Sequence, residues 1–356
     1  MVSDRAASYP APRMLLFALG ALCVYRLGCQ IPLPGLDPDI VNVLIADPGV
    51  LAHLSIFALG VMPIFTAMLA VEIAKSVCRP LARFQARGEA QALRLNRVIQ
   101  VGALAIAALQ GYGVARGIAG RGDLTVGPVS TFEWETVMTF VAATAFLGWL
   151  ADRMTVRGVR AGFWILFLAP YLASLPAQAH ASLELVRIRV IDPSALWIAA
   201  GLIVLAMALI VLLAKACLPA MGGRPMRVDA YLDVWPPLIA LSVAGVVNET
   251  LAAILRTPLR QAPLAAGEPL HVLLVAALIA GFAFLRASAP HGPAAMRRPV
   301  WLTALAQIAI SCGGEWLRRV FGLPFAIDGV WIIVCVATAL AVMASFLPFD
   351  GDRSST

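Results

Sequence analysis

Apolar runs long enough to cross a bilayer recur along this chain at 13–31, 52–75, 97–117, 134–152, 161–180, 194–214, 233–253, 269–286, 300–316 and 327–347. Each approaches the ~20 residues that carry a helix across the hydrocarbon. A water-soluble fold has no place for ten such runs, because burying them all in one core leaves too few polar residues for its surface. Composition agrees: 61% of the residues are hydrophobic, 13% are charged and the mean hydropathy is +0.86, whereas the apolar share of soluble domains is nearer half. In lipid the backbone must satisfy its own hydrogen bonds, so the runs read as helices. The expected fold is an all-α polytopic membrane protein with ten transmembrane helices.

Charge orients it. The segment between the second and third runs carries Lys75, Arg79, Arg83, Arg87, Arg94 and Arg97, the pattern of a basic loop held on the cytoplasmic side. With the amino terminus inside, Arg5, Arg13, Arg153, Arg157, Arg160, Lys215, Arg224, Arg227, Arg286, Arg297, Arg298 and Arg353 fall on the same side, which then holds most of the 27 basic residues. The other side keeps Arg116, Arg121, Arg187, Arg189, Arg256, Arg260, Arg318 and Arg319. Both termini are therefore expected in the cytoplasm, in a multi-pass protein of the inner (plasma) membrane. The formal charge of +7 is topogenic and attracts anionic headgroups; no basic stripe alternates with aromatic residues, so nucleic acid is not an expected partner. The first run contains Arg26 and lacks a small-residue cleavage site, so it is expected to remain as a helix. A charge at that depth is costly in lipid, and Arg26 is expected to face an aqueous funnel. Glu72 and Lys75 read as a helix-end pair.

Chemistry is sparse. Cys23, Cys29, Cys78, Cys217, Cys312 and Cys335 have no CxxC spacing and read as small apolar core residues. His53, His180, His271 and His291 are isolated, and no HExxH, GxSxG or intramembrane aspartate pair occurs, so neither an intramembrane enzyme nor a metal or cofactor site is expected. Breaks are more telling: Gly60 with Pro63, Pro170, and Pro236 with Pro237 interrupt apolar runs in both halves of the chain. Lipid tolerates such breaks only where protein or water satisfies the freed backbone, and their recurrence points to an internal repeat around a pathway. That pattern alone fits a protein-conducting channel or a secondary solute transporter, although a transporter calls for an ionisable group at a broken midplane helix, and none is evident beside these prolines.

Six segments, RLGCQIPLPGLD (26–37), SIFALGVMPIFTA (55–67), GEAQALRLNRVIQ (88–100), LGWLADRMTVRGVRAG (147–162), RPMRVDA (224–230) and LPFAIDG (323–329), resemble in order and spacing the SecY family, the channel subunit of the Sec protein translocase. The resemblance implies two pseudo-symmetric five-helix halves, residues 1–180 (helices one to five) and 181–356 (helices six to ten), around an hourglass pore that passes unfolded polypeptide or releases it sideways into lipid. It places the pore ring at Val61 and Phe65 in the second helix, Phe163 and Phe167 in the fifth, Leu238 in the seventh and Val334 in the tenth. An apolar ring dewets and so blocks ions while yielding to a passing chain. Thr66 and Gln110 match polar positions of the lateral gate; Asn248, with Glu249, either joins that cluster or ends a solvated helix. Arg79, Arg83, Arg87, Arg94 and Arg97 form the cytoplasmic basic loop. Implied partners are SecE-like and SecG-like small membrane subunits, membrane lipid, an unfolded polypeptide and, as a further candidate, SecA. The chain is shorter than the family at three places. Its segment 38–54 leaves little room for a plug helix, and its loops at 215–229 and 286–300 lack the protruding basic tips on which ribosome and SecA dock, so ribosome binding is expected to be weak. The whole reads as a shortened, divergent paralogue without chemistry of its own.

Overall fold

A computed structural model describes residues 11–39, 41, 53–120, 124–156, 161–217, 233–256, 258, 264, 268–287, 297–320 and 329–346. The expected plug segment, with the loops holding Arg121, Arg157, Arg160, Arg224 and Arg227, lies almost wholly outside them. The described helices are α1 (Ala11–Gly28), α2 (Met62–Val77), α3 (Arg79–Ala86), α4 (Glu89–Ala119), α5 (Val129–Val156), α6 (Gly162–Arg187), α7 (Pro193–Cys217), α8 (Trp235–Leu255), α9 (Pro269–Ala287), α10 (Arg297–Val320) and α11 (Gly329–Phe346). Six stretches of these, 90–119, 129–155, 162–187, 193–215, 235–255 and 269–286, are long and apolar enough to cross a membrane, and shorter apolar stretches run over 15–28, 300–314 and 329–343. Large apolar side chains such as Leu16, Leu109, Trp197 and Leu273 point outward, as lipid-facing residues of a polytopic membrane protein do.

Helix boundaries differ from the apolar runs wherever good helix formers flank them. α4 begins at Glu89, eight residues ahead of the run at 97, because EAQALRLNR is itself helix-favouring. The expected basic loop is largely helical: Arg79 opens α3, Arg83 is exposed on it, and Arg94 and Arg97 are exposed on α4. The prolines also behave differently from expectation. Pro63 is the second residue of α2, and Pro236 and Pro237 are the second and third of α8, where no intrahelical N–H is lost. They start helices and do not break them. Pro170 alone of the four lies beyond the first turn of its helix, and Val61 sits in the turn ahead of α2, outside the helix expected to carry it.

The chain falls into two compact units, 1–72 with 84–170, and 73–83 with 171–356. In the first, α4 packs on α5 and α1 on α5. The cause is a stripe of small residues on α4: Ala103, Ala107, Gly111 and Ala115 repeat every fourth position and are buried, letting the backbones approach as membrane helices do. A methyl group added at Gly111 would lie 3.0 Å from the Phe140 ring of α5. In the second unit α8, α9, α10 and α11 pack in succession and α7 lies against α10 and α11. Ala240 and Ala244 of α8 meet Val275 and Ile279 of α9.

Candidate functional site

The site grows out of the stretch after α1. Residues 29–37 form turns and two isolated bridges between two other segments: Leu33 N–H donates to Leu54 O at 2.9 Å and Ile56 N–H to Ile31 O at 2.9 Å on one side, while Asp37 N–H donates to Leu124 O at 3.0 Å and Val126 N–H to Gly35 O at 3.0 Å on the other. The turns of 53–61 continue through Gly60 N–H to Phe57 O at 2.8 Å and Met62 N–H to Leu59 O at 3.1 Å. Gly60 has φ +52°, the left-handed region that favours glycine. Phe57 stacks between Tyr25 of α1 and Phe146 of α5, its ring centroid 6.0 Å from each, and lies so close to Gly28 that a Cβ there would strike its ring. The IPLPG and SIFALG motifs are thus one assembly that delivers the chain to the start of α2.

That start carries the expected ring residues. Val61 is 4% exposed, and Phe65, in the first turn of α2, is 6% exposed. Phe65 meets Phe167 of α6 with centroids 4.7 Å apart; Phe163 stacks on Phe167 at 5.9 Å. Trp164, absent from the sequence reading, adds an edge-on contact to Phe167 at 5.7 Å. It had a signal, since it lies between the two phenylalanines, but an i,i+1 neighbour ordinarily points elsewhere on a helix. The four rings pack on one another within the first unit, Phe65, Trp164 and Phe167 buried and Phe163 half-buried. In the second unit, Leu238 in the first turn of α8 and Val334 of α11 are both buried.

The three gate positions fare differently. Thr66 Oγ1 donates to Met62 O at 2.9 Å, a bond inside its own helix. Gln110 Oε1 on α4 and Asn248 Oδ1 on α8 are buried with no hydrogen-bond partner among the described residues, a condition that costs about 1–3 kcal/mol per group. Glu249 is exposed, as is Arg26, in the last turn of α1. Among the described residues no group of His, Cys, Asp and Glu is able to hold a metal ion. Cys29 is buried as expected, whereas Cys23 and Cys78 are exposed. Cys78 interrupts the chain between α2 and α3, and Cys23 falls on an outward face of α1. One polar residue escaped the sequence reading altogether: Asp233, whose carboxylate is paired with Arg286 just ahead of Pro236.

A family model described as SecY matches residues 55–297, which takes in the SIFALG segment, the aromatic face and α8. Among curated proteins, the protein translocase subunit SecY of Pseudomonas aeruginosa is 27% identical over 377 aligned positions, covering 94% of this chain and 84% of that protein. The subunits of the same name from Escherichia coli and Buchnera aphidicola are each 34% identical over 185 positions; these cover 47% of this chain and 42% and 52% of those proteins. The chain thus matches about half the length of these last two relatives.

Proposed function

Because the chain belongs to the SecY family, we propose that it is the channel subunit of a protein-conducting pore, moving unfolded polypeptides across the inner membrane or releasing apolar segments into it. The observation that carries this reading is the mutual packing of Phe65, Phe163 and Phe167, with Phe65 and Phe167 buried, at positions that the SecY resemblance assigns to the pore constriction. In this reading the chain forms ten transmembrane helices in two halves, 1–180 and 181–356, with both termini in the cytoplasm. Val61, Leu238 and Val334 complete the set of ring residues, and Thr66, Gln110 and Asn248 serve the lateral gate. Apolar rings of this bulk exclude water when they touch each other and part when a chain displaces them, because stacking is worth only about 0.5–1.5 kcal/mol per pair beyond its buried area. The protein does no covalent chemistry; energy for transport comes from elsewhere.

SecE-like and SecG-like small subunits, SecA and an unfolded polypeptide are the proposed partners. Arg83, Arg87, Arg94 and Arg97, all exposed, form a basic approach for the polypeptide, each adding on the order of 1 kcal/mol near an anionic surface. The loops at 215–229 and 286–300 keep few basic residues, so ribosomes are expected to co-sediment with the protein far less than with a longer SecY at physiological salt. The central test is a secretory polypeptide stalled midway and carrying a photoreactive side chain. It should cross-link to Phe65 or Phe167 in native membranes. Cross-links confined to the lipid-facing residues Leu16 and Leu109 would remove the pore from this face.

A further inference from the structure

α8 begins inside protein. Val234 through Ala240 are buried without exception, where the first N–H groups of a helix have no water to turn to. Prolines 236 and 237 bring no N–H, and Trp235 N–H donates to Asp233 Oδ1 at 3.3 Å. The other carboxylate oxygen of Asp233 accepts from Arg286 Nε at 2.5 Å, at the carboxyl end of α9. Gln307 of α10, only 3% exposed, donates from Nε2 to the main-chain carbonyl of Asp233 at 2.6 Å. One residue, just ahead of the N-cap Val234, therefore accepts the first N–H of α8 and bonds to both helices packed against it. The pairing also joins an acidic group at a helix amino end to a basic group at a neighbouring carboxyl end, the favourable sense for both helix dipoles.

We propose that Asp233 is a positioning residue: it fixes the level of α8 along its axis against α9 and α10, and thereby the depth of Leu238, five residues on. This rests on the channel reading above. A slip of one residue along α8 shifts every side chain by about 1.5 Å, enough to break all three contacts at once.

The full-length protein in liposomes tests this with two readouts, hydrogen exchange over 233–245 and ion conductance. Asp233→Ala is expected to speed exchange in the first turns of α8 about tenfold or more, the fold-change of losing a hydrogen bond to a charged group, and to raise resting conductance. Asp233→Asn keeps the acceptor for Trp235 N–H but loses the charge, so it should fall between; Arg286→Gln should match it, and the double variant Asp233→Asn/Arg286→Gln should be no worse than either alone. Unchanged exchange in Asp233→Ala overturns the latch. Faster exchange with unchanged conductance, while Phe65→Gly/Phe167→Gly leaks, overturns its bearing on Leu238. If Phe65→Gly/Phe167→Gly does not leak, the channel reading falls, and the exchange data still decide whether Asp233 holds α8.

Discussion

α2 and α8 begin alike and are held differently. Each has proline at its second residue, Pro63 and Pro236, and a residue of the proposed ring at its fourth, Phe65 and Leu238. The start of α2 is set by main chain: bonds from 29–37 to 53–56, the turn through Gly60, and the Phe57 stack beneath it. The start of α8 is set by one residue, Asp233, whose carboxylate accepts from Arg286 of α9 and whose main-chain carbonyl accepts from Gln307 of α10. A main-chain clasp cannot be removed by one substitution of a surface group, whereas a side-chain latch can. The two ring residues are therefore expected to differ in how easily mutation moves them.

The largest effect is expected from attacking the clasp at its phenylalanine. Phe57 is 6% exposed and stacked on both faces, so Phe57→Ala should cost about 3–5 kcal/mol, read as a fall in the thermal midpoint of the purified protein. Hydrogen exchange should accelerate at 53–66 and not at 233–245; acceleration at both would mean that the two starts share one anchor. A smaller loss is expected from Gly60→Val. At φ +52° a side chain costs about 1–2 kcal/mol, Tyr25 Oη stands 3.4 Å from where a Cβ would be, and a branched residue tolerates that region worst. Equal stability of Gly60→Val and wild type would show that the turn does not set the start of α2.

The clasp was legible in the sequence because it needs special residues in fixed order: glycine where φ is positive, prolines where N–H groups are surplus, and phenylalanine where three segments meet. Those needs leave motifs, RLGCQIPLPGLD and SIFALGVMP, and the motifs carried the family resemblance that the match over 55–297 bears out. What was misread was their mechanics. Proline in an apolar run signals a break only if the helix has already started, and hydropathy does not mark where it starts; Pro63 and Pro236 both open their helices. The latch was legible only in part. Asp233 stands just ahead of Trp235 and two prolines, a helix-start signature, but its partners Arg286 and Gln307 are 53 and 74 residues away, and no local pattern links them. Trp164 was missed for a related reason, since adjacency along a helix says little about a shared face. The polar gate positions were named from resemblance, and only burial distinguishes Gln110 and Asn248, with open acceptors, from Thr66, which bonds within its own helix.

That distinction sharpens the comparison at Gln110. Its Oε1 is buried without a partner among the described residues, so Gln110→Leu should raise the stability of the resting protein by about 1 kcal/mol, the relief of a desolvated acceptor. If the side chain serves the gate, the same change should slow release of an apolar segment into lipid, measured by insertion of a reporter protein. A gain in stability with unchanged insertion would remove Gln110 from the gate.

The smallest effect is expected where α2 and α8 are held in the same way. Thr66 Oγ1 donates to Met62 O at 2.9 Å and Ser242 Oγ to Leu238 O at 2.8 Å, each bond reaching back four residues within its own helix. Such back-bonding competes with the backbone ladder, bends a helix slightly and adds little to its stability. Thr66→Val and Ser242→Ala should therefore each change the thermal midpoint by no more than the equivalent of about 0.5 kcal/mol, and by similar amounts. Because Thr66 has its hydroxyl already engaged, Thr66→Val is also expected to leave reporter insertion near wild type, in contrast to Gln110→Leu. A marked insertion defect in a fully stable Thr66→Val protein would show that the hydroxyl exchanges its bond to Met62 for one across the gate during opening. The difference between α2 and α8 would then extend beyond how each helix starts, to what each helix releases when the channel opens.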